Sequence, residues 1–259
     1  MEKTQIPTNP PPSAETEIPS YTPAACSSFA SLVISKLDRI RLVSFPRTIV
    51  DTVQETIQST WQRGIQNVRE YNGSHEFKLR GWPWSTNTDE SLLATRLIRR
   101  ILAVLFTHGW VLSLSTDISQ RQENKTALMF RHQHPAPNPC EWVAISFNSF
   151  NLLRLIDAPT SLVQTLVADL SLVTKSHQPH KLQDVYELKL YGDPWGTFGK
   201  DSMQAWKMAL KLMETLEVHG FKVCSSINHK GRSQALEPDT WYCCRRIGWV
   251  PGAPVHDGE

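Results

Sequence analysis

The stretch HEFKLRGWPWSTNTDES, residues 75–91, returns as YELKLYGDPWGTFGKDS, residues 186–202, and no other feature of the sequence constrains the fold as strongly. A unit written twice implies two copies of one structural unit, each needing the same elements to bury the same positions. The matches run beyond the motif. Arg41, Leu42 and Pro46 recur as Arg154, Leu155 and Pro159, and His108-Gly109 recurs as His219-Gly220. Thr126 and Arg131 recur as Thr240 and Arg245 at a slightly larger offset. One unit therefore spans residues 29–140 and the other 141–250, with a short tail at 251–259. The two units are expected to pack as one domain, each completing the other's sheet and core.

Local periods place elements inside a unit. Ile34 to Leu37 with Ile40 to Val43, and Trp142 to Phe147 with Leu152 to Ile156, read as strand pairs. Each pair ends at a proline, Pro46 or Pro159, suited to the first turn of a helix. The helices that follow carry apolar residues at spacings of three and four: Ile49, Val50, Val53, Ile57 and Trp61 in one copy, Leu162, Val163, Leu166, Val167 and Leu170 in the other. In the repeated strand Phe77 and Leu79 point to one face and Glu76, Lys78 and Arg80 to the other, because side chains alternate along a strand. Leu188 and Leu190 alternate with Glu187, Lys189 and Tyr191 in the same way.

Gly-x-Pro-Trp ends that strand, since proline has no N–H to donate. A second helix starts near Thr88 or Asp89 and is expected to bury Leu92, Leu93, Leu97, Ile101, Val104 and Leu105. Its counterpart is expected to bury Met203, Trp206, Leu210, Met213 and Leu216. Both helices end in His-Gly, a glycine C-terminal stop with histidine near the negative end of the dipole. Strands are expected at 110–117 and 125–131, and again at 221–228 and 240–246.

Taken from the quoted strand, one cycle reads β-α-β-β-β-β-α, its last strand pair and helix coming from residues 141–175. The expected class is α+β: two tandem pseudo-symmetric repeats, an antiparallel sheet with helices on one face, in a permuted TATA-binding-protein-like element order. That likeness rests on element order alone and transfers no DNA-binding role.

The stretches GIQNVREYNGSHEFKLRGWPW, LLRLIDAP and DTWYCCRRIGWVPGAPV resemble those of a family of fungal and animal proteins marked by a repeated EFKLxGxPW motif. The resemblance covers most of residues 40–255. It implies one shared fold and no assigned activity.

Composition narrows the classes of function. With 40% hydrophobic and 20% charged residues the chain reads as globular, and a net charge of +2 does not point to a nucleic-acid partner. Residues 1–28, rich in proline, serine and threonine, read as a disordered tail. No apolar run approaches the roughly 20 residues a membrane span needs, so an intracellular protein, cytoplasmic or nuclear, with no membrane partner is expected. The five cysteines, Cys26, Cys140, Cys224, Cys243 and Cys244, are odd in number and form no CxxC pair, which argues against a disulfide framework and a zinc knuckle. The sequons at Asn72 and Asn124 are read as chance.

The candidate binding positions are Trp82, Trp84 and Trp195 in the Pro-Trp loops, and Glu76, Lys78, Glu187 and Lys189 on the polar strand face. An indole beside a helix N-terminus can stack on a flat ligand where free N–H groups favour an anion. The same tryptophans can equally be staples locking loop to core. The charged pairs can receive a partner, or pair across strands in solvent. Arg96, Arg99 and Arg100 read as a solvated stripe, and His108 and His219 as helix ends. Cys243 and Cys244, adjacent in a strand, face opposite sides and read as small hydrophobes. Trp249 reads as the anchor of an extended closing strap. No metal, cofactor or catalytic residue is assigned.

The reading that follows is a non-enzymatic binding scaffold, using the polar sheet face or the Pro-Trp loops to hold a protein or a small ligand. Its alternatives are a small-molecule enzyme with a pocket between the repeats and, on the fold-order likeness alone, a nucleic-acid binder.

Overall fold

A computed structural model of the chain describes residues 28–84, 89–116, 124–196, 202–228 and 239–255. The proline-rich segment 1–27 lies outside the described residues. In the first repeat the elements are β1 (Phe29–Ser35), β2 (Arg39–Val43), α1 (Arg47–Thr60), β3 (Ile65–Tyr71), β4 (Ser74–Leu79), α2 (Asp89–Thr107), β5 (Trp110–Thr116) and β6 (Asn124–His132). In the second they are β7 (Cys140–Asn148), β8 (Leu152–Ile156), α3 (Thr160–Asp169), β9 (Thr174–Pro179), β10 (Val185–Leu190), α4 (Ser202–Val218), β11 (Lys222–Ile227) and β12 (Thr240–Arg246).

The α+β class and the tandem pseudo-symmetry hold, with two antiparallel six-stranded sheets and their helices. The sheets run β3-β4-β2-β1-β6-β5 and β11-β12-β7-β8-β10-β9. The strand cycle differs from expectation in two ways. Strand β1 pairs with β6 along its length, Phe29 opposite Arg131 and Leu32 opposite Leu128, so each repeat closes its own sheet and runs β-β-α-β-β-α-β-β without permutation. The pair β7–β8 accordingly belongs to the second sheet. Strands β3 and β9 were also missing from the expected cycle. Both are edge strands whose residues are almost all exposed, so they carry no apolar alternation to read. The signal that could have found β3 is Asn72-Gly73, whose positive φ values of 45° and 73° make the two-residue turn between the paired Tyr71 and Ser74.

The sheets are separate, but the core is shared. Ala30, Leu32 and Ile34 of β1 meet Val50, Val53 and Ile57 of α1 and Leu97, Ile101 and Leu105 of α2, and this cluster continues into Trp142, Ala144, Tyr242 and Cys244 of the second sheet. The other side of the second sheet, through Val143, Ile145 and Phe147, packs on Leu162 and Leu166 of α3 and Leu212 and Leu216 of α4. Strand β7 is therefore buried on both faces. The layers run sheet, helices, sheet, helices, with edge strands β5 and β11 side by side. At that seam the Thr126 hydroxyl donates to the Asn228 carbonyl at 2.5 Å.

Two readings of the helices need correction. On α4 the buried apolar residues are Met208, Leu212 and Leu216, while Met203, Trp206, Leu210 and Met213 are exposed. The helix is apolar on two sides, and periodicity does not say which side meets its own sheet. Arg96 and Arg99 are not a solvated stripe either. Arg99 is buried, pairs with Asp157 and donates to the Trp142 carbonyl at 2.9 Å; Arg96 meets Asp157 at 2.8 Å. Only Arg100 is exposed.

Candidate functional site on the open face of the first sheet

The face of the first sheet turned away from α1 and α2 is set by the alternation that buries Leu32, Ile40, Phe77 and Leu128 on the other side. It presents Phe29, Ser31 and Val33 from β1, Arg39, Arg41 and Val43 from β2, and Glu76 and Lys78 from β4. At its centre the Glu76 side chain is 1% exposed and meets three arginines. Arg39 reaches Oε1 at 2.5 Å, Arg41 Nε donates to Oε2 at 2.7 Å, and Arg69 Nε donates to Oε1 at 2.8 Å. Tyr71 lies beneath two of these guanidinium groups, 4.4 Å from Arg41 and 5.1 Å from Arg69. Burial alone would raise the Glu76 carboxyl, but the hydrogen bonds from Arg41 and Arg69 and the charges of Arg39 and Arg41 outweigh it and hold the group below the ordinary carboxylate range. A carboxylate gripped this way is a poor general base. Its chemical effect is to hold three guanidinium groups flat across the sheet as a rigid cationic surface.

The other candidates lie in different surroundings. Lys78 sits 3.9 Å from Asp38 on the same face, and Lys189 is exposed on β10. Glu187 pairs with Arg154 at 2.7 Å and lies 3.9 Å from His180, which is itself 3.6 Å from Asp89 at the start of α2. Trp82 is exposed. Trp84 is buried and its indole donates to the Arg39 carbonyl at 3.3 Å; Trp195 meets Phe147 edge-on at 5.0 Å. Each Pro-Trp loop is also pinned to the preceding hairpin, Trp84 N to Leu37 O at 3.3 Å and Trp195 N to Phe150 O at 3.2 Å. The seven residues do not converge on one site.

One family model matches the chain twice, over residues 28–131 and 141–244. The chain belongs to this family. It carries two tandem copies of the family's domain, and no curated protein and no solved structure matches it. The two matches set corresponding positions about 113 residues apart, and pairing confirms the register: Ser31 lies opposite Met129 as Ala144 lies opposite Tyr242. Thr240 therefore corresponds to Ala127 and Cys244 to Arg131, one residue off the Thr126–Thr240 and Arg131–Arg245 matches read from the sequence. Arg41 opposite Glu76 thus corresponds to Arg154 opposite Glu187. In the second domain that face is occupied, because α2 of the first domain lies on it. Arg99 grips Asp157 and Trp142 there, and Phe106 meets Trp142 edge-on at 5.6 Å. In the first domain Phe29, the counterpart of Trp142, is 61% exposed, against 6% for Trp142.

His108 Nδ1 contacts the Val104 carbonyl at 2.9 Å, and His219 Nε2 contacts the Thr165 hydroxyl at 3.0 Å. Burial, then the Arg245 charge, lowers His219 below its usual value. Cys243 faces the second core and Cys244 the first, with Cys224 Sγ on β11 2.9 Å from Cys244 Sγ. Burial pushes the Cys243 thiol well up; for Cys244 the hydrogen bond with Cys140 acts downward, but Cys224 and burial outweigh it. Among the described residues no group of three or more His, Cys, Asp or Glu stands where it could hold a metal ion, and no helix is long and apolar enough to cross a membrane. A cleft of about 430 Å³ beside α2, lined by Arg99, Arg100, Glu141 and Asp157, and one of about 530 Å³ beside α3, lined by Val163, His177 and Tyr186, include none of the seven candidates.

Proposed function

We propose that the protein is a non-enzymatic interaction scaffold whose open sheet face, built around Glu76 and its three arginines, receives a helix from a protein partner. The observation that carries this reading is the corresponding face of the second domain, where α2 already lies on Trp142, the counterpart of Phe29, with Arg99 donating to the Trp142 carbonyl and Phe106 packing on its ring, and where Asp89 at the start of α2 reaches the matching Arg-Glu pair through His180. A rigid basic surface with Phe29, Val33 and Val43 beside it suits an amphipathic helix bearing acidic residues. Lys78 extends the cationic side of that surface. Neither Trp84 nor Trp195 takes part, since each is spent on fixing its own loop.

A photo-crosslinking residue placed at Val33 tests this. It should give discrete protein adducts in extract, whereas the same residue at the fully solvated Leu172 should not. Equal labelling at both positions, or absence of any adduct at Val33, would overturn the reading.

A further inference from the structure

Helix α4 presents Met203, Trp206, Leu210 and Met213 as one outward stripe, exposed by 55%, 65%, 61% and 42%. A contiguous apolar stripe of this kind marks an interaction surface more often than an accident. Its counterparts, 111 residues earlier on α2, are Leu92, Thr95, Arg99 and Leu102, all buried. That stripe meets the second sheet: Arg99 pairs with Asp157, Thr95 hydrogen-bonds Tyr242, and Phe106, one step further along, packs on Trp142. The chain thus contains one completed helix-on-sheet joint and, among its described residues, both halves of a second one left uncovered.

We propose that a second copy of the chain completes that joint, the α4 stripe of one copy docking on the open first sheet of the next as α2 docks on the second sheet within a chain. This rests on the reading of the open face given above and names its partner. The paired differences between the two joints support it. Where α2 offers Arg99 to Asp157, α4 has Leu210, and the position corresponding to Asp157 is Ser44, which shares its left-handed backbone with φ of 62° against 56°. Where Thr95 meets Tyr242, α4 has Trp206 and the sheet has Met129. Where Phe106 and Cys244 line one cleft, α4 has Glu217 and the sheet has Arg131, both exposed. Each change on the helix is matched by a change on the sheet: the ion pair is replaced by two uncharged residues, the hydrogen-bonded pair by two apolar ones, and the pair lining the cleft by residues of opposite charge. The contact is head to tail, so repeated addition makes a chain of copies rather than a closed dimer.

Sedimentation of the full chain should show mass rising with concentration past that of a dimer. Leu210→Glu on the helix, or Met129→Glu on the sheet, should each weaken association by about tenfold or more. Mixing these two variants should give a one-to-one heterodimer that grows no further, because only one good joint can form. Glu217→Arg and Arg131→Glu should each weaken association, and the double variant should restore it. Failure of the two single variants to pair with each other, as a symmetric α4-on-α4 contact requires, would overturn the proposal. So would a full chain that stays monomeric at every concentration. If Val33 adducts to other proteins persist in that case, the second-copy proposal falls while the open-face reading stands; if no adduct forms at all, the reading falls as well.

Discussion

The two domains carry the same Pro-Trp loop and the same Arg-Glu pair, yet these features sit in unlike surroundings. Trp84 is fully buried with its indole hydrogen-bonded, whereas Trp195 is half-buried and its Nε1, shielded from solvent, has no hydrogen-bond partner among the described residues. Glu76 draws three arginines from its own sheet, while Glu187 keeps one arginine and gains His180, which reaches toward α2 of the first domain. Repetition therefore preserves local geometry, and the neighbour on each face decides how much a residue is worth. The first sheet satisfies its buried charge from within; on the covered face of the second, Asp157 borrows Arg96 and Arg99 from the helix above it.

The largest expected break in this comparison is at the tryptophans. Trp84→Ala should cost about 3–5 kcal/mol in chemical denaturation, as large core truncations do. Trp195→Ala should cost clearly less, and Trp195→Phe should be near neutral because no indole hydrogen bond is lost. Equal losses at the two sites would mean that the difference in burial has no energetic weight.

Glu76→Gln comes next. It leaves three guanidinium groups without their shared anion and should cost about 2–3 kcal/mol. Glu187→Gln, facing one arginine, should cost less in the same measurement.

A smaller effect separates the two His-Gly stops. Gly109 and Gly220 both have positive φ, 82° and 78°, so alanine is strained at either. A methyl group at 220 would run into the Trp249 ring, which anchors the C-terminal strap with its indole donating to the Ala253 carbonyl at 3.0 Å. A methyl at 109 meets the Gln133 backbone carbonyl at 2.5 Å instead. Gly220→Ala should cost about 1–2 kcal/mol and free the strap, seen as faster proteolysis after residue 246. Gly109→Ala should destabilise without exposing that site.

The mildest test is pH. Glu76 titrates below its ordinary value of 4.5 in the folded state, so its stabilisation is complete above that value and is lost as pH falls through the lowered folded value. His219 is lowered from 6.5, so the unfolded chain takes up its proton first and stability declines as pH falls below about 6.5 toward the folded value. Melting temperature should therefore fall on the acid side in two stages. His219→Gln should remove the upper stage and leave the lower one, and a profile unchanged by that substitution would contradict the assignment.

Much of this was legible in the chain. The strand alternation through Phe77 and Leu79, the stripes of α1 and α3, the His-Gly stops and the Trp249 anchor all follow from neighbours within a few residues. Strand β3 was missed because a solvated edge strand leaves no apolar period, although Asn72-Gly73 announced its turn. Arg99 and the α4 stripe were misplaced for one shared reason: each lies on the side of its helix turned away from its own sheet, where Arg99 meets a sheet face contributed by a distant segment and the α4 stripe is exposed. The candidate site was half legible. Glu76 and Lys78 were marked by alternation, but Arg39, Arg41 and Arg69 were not, since their convergence on one carboxylate depends on the pairing of β2 and β3 with β4.

What the sequence determined by itself is the unit and its number: turns, caps and alternation act over a few residues, and writing them twice makes two alike domains. Which face of each domain is covered was decided by the tertiary structure alone. Burial of α2 on the second sheet joins residues such as Arg99 and Asp157, and no local period records a contact made across that distance.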